Sequence, residues 1–251
     1  MKVKYPRGEL WLGDCFDLLK EVPDKSIGMV FCDLPYGKTN ADWDKVLPFE
    51  PLWENFERVC REKAAIIFTA TQPFTSQVVM SKKEWFRHEW VWDKVRPTGF
   101  QNVAYKPMVQ HESILVFGSE TVSYSPIKGK RNKGRVKQKT RAVSKHLSTQ
   151  CQPKDGGEVT FDTFPNTILS FTSVMGPKLV HQNQKPTALL AYLIETYTQK
   201  DETILDPTCG SGTTAAAAIH TNRRFLCIEK GLEEFEVAKN RIENESGGFD
   251  F

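Results

Sequence analysis

The sequence predicts an α/β protein built on an open sheet, and three observations carry that prediction. Short apolar runs bounded by turn formers alternate with segments whose apolar residues recur at helical spacing. The run Ile27 to Cys32 ends in Asp33-Leu34-Pro35-Tyr36, which puts a carboxylate at a strand's carboxyl end, where open α/β sheets hold their ligands. Far downstream, Thr203-Ile204-Leu205 runs into Asp206-Pro207-Thr208-Cys209-Gly210-Ser211-Gly212, followed by an alanine-rich helix, a strand and Glu229.

Taken in order, Leu10-Trp11-Leu12 reads as a strand closed by Gly13-Asp14, with a short helix over Phe16 to Lys20. After the Ile27–Cys32 strand, residues 37–47 are polar and loop-like. Phe49, Leu52, Trp53, Phe56 and Val59 share a helical face within Pro48 to Cys60, where the proline stands at the tolerated first turn. Ala64 to Ala70 is a second buried strand, Gln72 to Met80 a helix, Trp85 to Trp92 a strand of alternating character, and His111 to Phe117 another. Pro97, Gly99 and Pro107 mark the loop between the last two. Beyond 181–186, Leu189, Leu190, Leu193, Ile194 and Tyr197 form one apolar face of a helix that Pro186 begins. Arg224 to Ile228 is a strand. The last helix, Leu232 to about Glu243, buries Phe235 and Ala238 and carries Arg241.

A chain of 251 residues can bury a full core as one domain with an insertion. No apolar run is long enough to span a bilayer, and the start MKVKYPRGELW has no signal-peptide core. Six scattered cysteines with no C-x-x-C pair argue against a zinc site or a disulfide framework and suit a reducing cytoplasm. The net charge of +3 is unevenly placed. Between Glu120 and Asp155 lie ten Lys or Arg and no acid, leaving 24 basic against 31 acidic residues elsewhere. The run KGKRNKGRVKQKTRAVSK (128–145) has no apolar period and would build no core. With aromatic residues flanking it, this cationic stretch favours a polyanionic partner, a nucleic acid, over a merely solvated loop.

The two turns offer complementary chemistry. Asp33 is an acceptor, Pro35 adds a carbonyl without an N–H, and Tyr36 supplies a ring, which suits an amino group on an aromatic base. Gly210 and Gly212 allow close approach of backbone to a ligand at a helix's amino end, and Glu229 at a strand end suits ribose hydroxyls. A dinucleotide is the obvious rival occupant. Only one β-α-β unit fits after Thr203, and Asp206 would repel a pyrophosphate, whereas it suits the amino or sulfonium end of S-adenosylmethionine.

Together DLPYG (33–37), HQNQKP (181–186) and DPTCGSGTT (206–214) resemble the β-type, permuted, amino-methylating DNA methyltransferases, with further likeness at WVWDK (90–94), Lys106-Pro107, HESILVF (111–117) and RFLCIE (224–229). The resemblance implies a Rossmann-like methyltransferase fold, a doubly wound and mostly parallel sheet with one antiparallel strand, in which the Asp33 and Asp206 strands lie side by side. It divides the chain into a catalytic half (1–118), a target-recognition insertion (119–168) and a cofactor-binding half (169–251). It implies site-specific methyl transfer from S-adenosylmethionine to the 6-amino group of adenine in double-stranded DNA, with the 4-amino group of cytosine, or a catalytically silent DNA-binding relative, as alternatives. A bacterial or phage-encoded cytoplasmic enzyme of a restriction-modification kind is expected, with monomer and homodimer both open.

Carried over residue by residue, Asp33 and the Leu34 and Pro35 carbonyls would accept the amino hydrogens, and Tyr36 would stack on the base. Asp206, Pro207, Gly210, Gly212 and Thr213 would surround the methionine part of the cofactor, Glu229 its ribose, Asp14 beside Cys15 its adenine, and Lys185, Pro186 and Thr187 its carboxylate. Lys128, Lys130, Arg131, Lys133, Arg135, Lys137, Lys139 and Arg141 would meet DNA phosphates. The family more often has Pro where this chain has Leu34, a change that keeps the carbonyl. No metal is required. His111 and His181 read as structural or surface residues, Cys32 and Cys209 as packing, and Trp53, Trp90 and Trp92 as core; Trp43 stands where it could gate the cleft.

Overall fold

The computed structural model describes residues 1–38, 44–129, 164–174 and 184–246. The chain forms two compact units, one of Met1–Ser125 with Thr167–Phe251, the other Pro126–Asn166. The larger unit holds a sheet whose nine strands, among the described residues, run in the order β1-β2-β9-β8-β3-β4-β6-β5-β7. These are β1 (Lys2–Tyr5), β2 (Gly8–Leu12), β3 (Ile27–Cys32), β4 (Cys60–Ala70), β5 (Phe86–Thr98), β6 (Val109–Phe117), β7 (Ile168–Ser170), β8 (Thr203–Asp206) and β9 (Arg224–Glu229).

Five central strands, β2-β9-β8-β3-β4, pair in parallel. The expected antiparallel strand is β6, which opposes both β4 and β5. A second one, β1, closes an edge hairpin with β2. That strand was not legible because KVKY has only every second residue half-covered, as an edge allows.

Side chains of successive strand residues leave opposite faces of the sheet, and the core divides accordingly. Met29 and Phe31 of β3 join one cluster with α4 (Thr187–Tyr197), α5 (Thr213–His220) and α6 (Leu232–Ser246). Val30 and Cys32 join the other with α1 (Cys15–Leu18), α2 (Phe49–Val59) and α3 (Phe74–Ser81). Both faces of β3 are therefore buried, and its sequence IGMVFC is apolar without alternation, as a doubly covered parallel strand requires. Trp53, Trp90 and Trp92 lie in these cores as expected.

Strand ends differ from the sequence reading where polar residues extend a ladder. β4 starts at Cys60, directly after α2, through the exposed Arg61-Glu62-Lys63. β5 and β6 run on past Trp92 and His111 to meet again at Thr98 and Val109. The main body also takes in the margins of the expected insertion. Ser123 and Ser125 donate backbone bonds to Lys63 and Thr196, and β7 pairs with β5. No helix among the described residues is long and apolar enough to cross a membrane.

Candidate functional site

The neighbour of β3 on one side is β8, in parallel, with Val30 opposite Leu205. Asp33 leaves the end of β3 and Asp206 ends β8, so two turns 173 positions apart in the chain emerge side by side. The Thr208 hydroxyl donates to the Asp33 carbonyl at 3.4 Å and bridges them.

Asp33 sits in a ring of donors. Thr69 Oγ1 (2.5 Å) and Tyr36 OH (3.0 Å) both donate to Oδ1, and Lys185 Nζ donates to Oδ2 at 2.5 Å. Oδ1 is thereby filled, while Oδ2 keeps one lone-pair direction for a further donor. Lys185 lies just ahead of α4 and also faces Glu112 of β6 at 3.8 Å, which in turn pairs with Lys94 of β5 at 2.5 Å. Burial alone would lower the Lys185 pKa, but the carboxylates of Asp33 and Glu112 more than reverse this, so it is held above the ordinary lysine value. The Lys185 ammonium thus forms a charge-assisted hydrogen bond to the Asp33 carboxylate.

The rest of the turn is anchored by packing. Leu34 is 3 % exposed and belongs to the core under α2 and α3, which accounts for an aliphatic residue here and leaves its backbone to the cleft. The Tyr36 ring stacks on Phe74 (centroids 5.1 Å apart, planes at 28°), so a base would meet the face turned away from Phe74. Burial, then the Asp33 charge, pushes the Tyr36 phenol well up, so it remains a donor. Asp44 accepts from the Gly37 and Lys38 amides, at 2.8 Å each, and fixes the exit of the turn.

In the glycine-rich turn the two glycines do different work. Gly210 has φ +51 and no atom within 4 Å of where a Cβ would stand, so its open side can take a ligand. Gly212 has φ +72 and packs on α6, with Ala238 Cβ 3.0 Å from that point. Its missing side chain permits close packing of the turn on that helix. Gly212→Ala is expected to cost about 1–3 kcal/mol through backbone strain and crowding, measured as a lowered unfolding midpoint.

Asp206 is 3 % exposed; Thr208 N and the Thr214 hydroxyl donate to it at 3.1 and 2.5 Å. Burial dominates and raises its pKa to about 7. Glu229 accepts from the amides of Gly210, Lys230 and Gly231, all at 2.8 Å, and burial raises its pKa also. It thus ties the glycine-rich turn to the end of β9, leaving part of its acceptor capacity outward. Asp14 caps α1 by accepting from Phe16 N at 2.9 Å and pairs with Lys230 at 3.0 Å. It stands beside Glu229, since Gly13 N donates to the Glu229 carbonyl.

Lys185, expected near a cofactor carboxylate, donates to Asp33 Oδ2. Pro186 caps α4, and Pro207 continues the turn after β8. Thr187 and Thr213 are joined through Arg241, which donates to both at 2.9 Å and pins α4, α5 and α6 together. Cys15, Cys32 and Cys209 are buried, and their thiols are pushed up, so none is a thiolate. His111 is exposed. Lys128 lies in the smaller unit with its ammonium 5.0 Å from the Phe164 ring centroid. Lys130, Arg131, Lys133, Arg135, Lys137, Lys139, Arg141, Trp43 and His181 lie outside the described residues.

Sequence reasoning missed Thr69, Lys94, Glu112, Thr208 and Arg241 as parts of the site. Only Glu112 gave a usable signal, an acid inside the apolar run ILVF's strand, where a buried charge demands a partner.

Comparison with known proteins adds a consistent set of likenesses. A family model described as DNA methylase matches residues 27–240. The Type II methyltransferase M.HinfI of Haemophilus influenzae is 28% identical over 262 residues, covering 92% of this chain and 67% of its own. The crystal structure of an M1.HpyAVI-SAM complex is similar with TM-score 0.64 at 20% identity, covering 93% of this chain and 99% of that one. The PvuII DNA methyltransferase (cytosine-N4-specific) is similar with TM-score 0.68 at 14% identity, over 97% and 93%.

Proposed function

The chain belongs to the DNA methylase family, and from that premise we propose that it transfers a methyl group from S-adenosylmethionine to the 6-amino group of adenine in double-stranded DNA. The observation that carries the reading is the side-by-side emergence of the Asp33 and Asp206 turns from adjacent strands, linked through Thr208. One turn offers acceptors and a ring, the other an open glycine beside a buried carboxylate.

S-Adenosylmethionine supplies an electrophilic methyl group on a sulfonium. Asp206 suits its cationic end, the open side of Gly210 its close approach, and Asp14 with Glu229 the adenosine. On the substrate side, Asp33 Oδ2 accepts one amino hydrogen and a turn carbonyl the other. Their pull localises the nitrogen lone pair, which the ring otherwise withdraws. Transfer of the methyl group, with the thioether as leaving group, would leave the amino nitrogen cationic, and that nitrogen would then shed a proton. Asp33, paired with the Lys185 ammonium, acts by charge and position, and the proton passes on to water. The initial Asp of the turn, where Ser is the other choice, supports adenine over cytosine.

The test is transfer of a labelled methyl group to unmethylated DNA, with nucleoside digestion of the product. N6-methyldeoxyadenosine is expected. N4-methyldeoxycytidine would move the target base, and cofactor binding without transfer would make the chain a silent DNA binder. Methylation-aware sequencing of DNA from expressing cells then gives the recognition site. Replacing Lys130, Lys133, Lys137 and Lys139 with Gln is expected to weaken DNA binding and reduce the salt slope by about 0.9 for each phosphate no longer neutralised, read from binding isotherms at several salt concentrations.

A further inference from the structure

Beyond the end of β4 the β5–β6 hairpin continues alone. Thr69, which bonds Asp33, is level with Ile114 of β6, and β6 begins five residues earlier at Val109. At about 3.3 Å per residue the start of β6 stands roughly 16 Å beyond the level of the Asp33 carboxylate, measured along the strand. The foot of the hairpin is pinned by Asp93, which accepts from Val95 N, Gln110 Nε2 and Ser170 Oγ. Gly99, at φ +90 with nothing within 4 Å, then opens a short helical turn over Phe100–Asn102.

This tip carries aromatic rings into solvent. Tyr105 is 90% exposed and Phe100 75%, with Val103 half-exposed between them. From Lys94 to His111 there is no acidic residue; Lys94 is taken up by Glu112, while Arg96 and Lys106 add positive charge nearer the tip. Lys38, next to the catalytic turn, donates to the Thr71 hydroxyl and lies close enough to Lys106 to feel its charge. Burial lowers its pKa, Glu112 and Asp44 raise it, and Lys106 and Lys94 lower it further. Exposed rings among cations suit a partner with π-faces and phosphates, which is a nucleic acid rather than an apolar protein surface.

Resting on the methyl-transfer reading above, we infer that the Gly99–Lys106 tip is a wedge that enters the duplex and occupies, with Phe100 or Tyr105, the stack left by the extruded base, while Lys106 and Lys38 meet the flanking phosphates. Extrusion costs stacking and pairing, and a ring in the gap returns part of it.

The test uses the full chain, Phe100→Ala/Tyr105→Ala, and Phe100→Tyr/Tyr105→Phe, on a duplex bearing the site found by sequencing. With 2-aminopurine at the target position, emission on binding is expected to rise with the parent and to stay low with the alanine pair. On the fully paired duplex the alanine pair should lose about tenfold in kcat/KM. With a mismatch opposite the target, the loss should shrink to about twofold, because the base is already loosened. The aromatic exchange should behave as the parent. Equal loss on paired and mismatched duplexes, or no loss on either, would overturn the wedge. A change in molar mass by light scattering with unaltered extrusion would instead assign the tip to self-association and also overturn it. Absence of methylation by the parent itself would strike the underlying function and not the wedge.

Discussion

Asp33→Ala is expected to reduce methyl transfer by about 100- to 1,000-fold or more while leaving cofactor affinity within a few-fold of the parent. Asp33 stands on the β3 turn, and its side chain is bound by Thr69, Tyr36 and Lys185, with none of its bonds going to the glycine-rich turn except through its own carbonyl. Removing the carboxylate leaves Lys185 facing Glu112 and takes away the acceptor that localises the amino lone pair. Single-turnover transfer and equilibrium binding of the cofactor, measured on the same preparation, separate the two. Equal loss of both would mean that the Asp33 turn helps to hold the cofactor and does not act on the base. Asp33→Asn is the sharper variant. It keeps one acceptor oxygen but offers Lys185 no charge, so its transfer rate should lie between those of alanine and the parent.

Cofactor binding is expected to strengthen as pH rises through about 7. Burial holds the Asp206 carboxyl near that value, far above an exposed aspartate. A cationic ligand selects the ionised form, so below pH 7 each unit of acidification should weaken binding by up to about tenfold, with a plateau above. Without cofactor the sign reverses. A carboxyl whose folded pKa is raised contributes stability that is fully present below its unfolded value of about 4 and lost as pH rises to about 7. Cofactor should therefore raise the unfolding temperature most at alkaline pH. Asp206→Asn should flatten both profiles, since an amide can still accept from Thr208 N without titrating. Isothermal titration across pH 5.5–8.5 checks this, and an unchanged slope in the variant would move the titration to another group, Glu229 foremost.

Much of this architecture could be read from the sequence where one physical signal dominates. The apolar β3 run, the Phe49–Val59 stripe and the Asp206–Gly212 turn each satisfy a single demand, and each formed as expected. The resemblance of three short motifs supplied what no periodicity could, the pairing of β3 with β8. Legibility fell where one residue serves two neighbours far apart in sequence. Lys185 belongs to a motif beside α4, yet its charge is spent on Asp33, 152 positions away. Glu112 and Lys94 look like ordinary charges on two strands until the antiparallel register brings them together beneath Lys185. The packing of Gly212 on Ala238 of α6 is likewise a contact between distant segments that the residue type alone does not announce.

The order of strands across the sheet also constrains how the protein comes into being. The ribosome delivers β3 and β4 together, but β8, which pairs with β3 on its other side, emerges only after β5, β6 and β7. Until then β3 presents a bare, fully apolar edge, a pairing template for other nascent chains. The Asp33 turn therefore gains its Asp206 neighbour only after the strands on its other side, β4 to β7, have already been made.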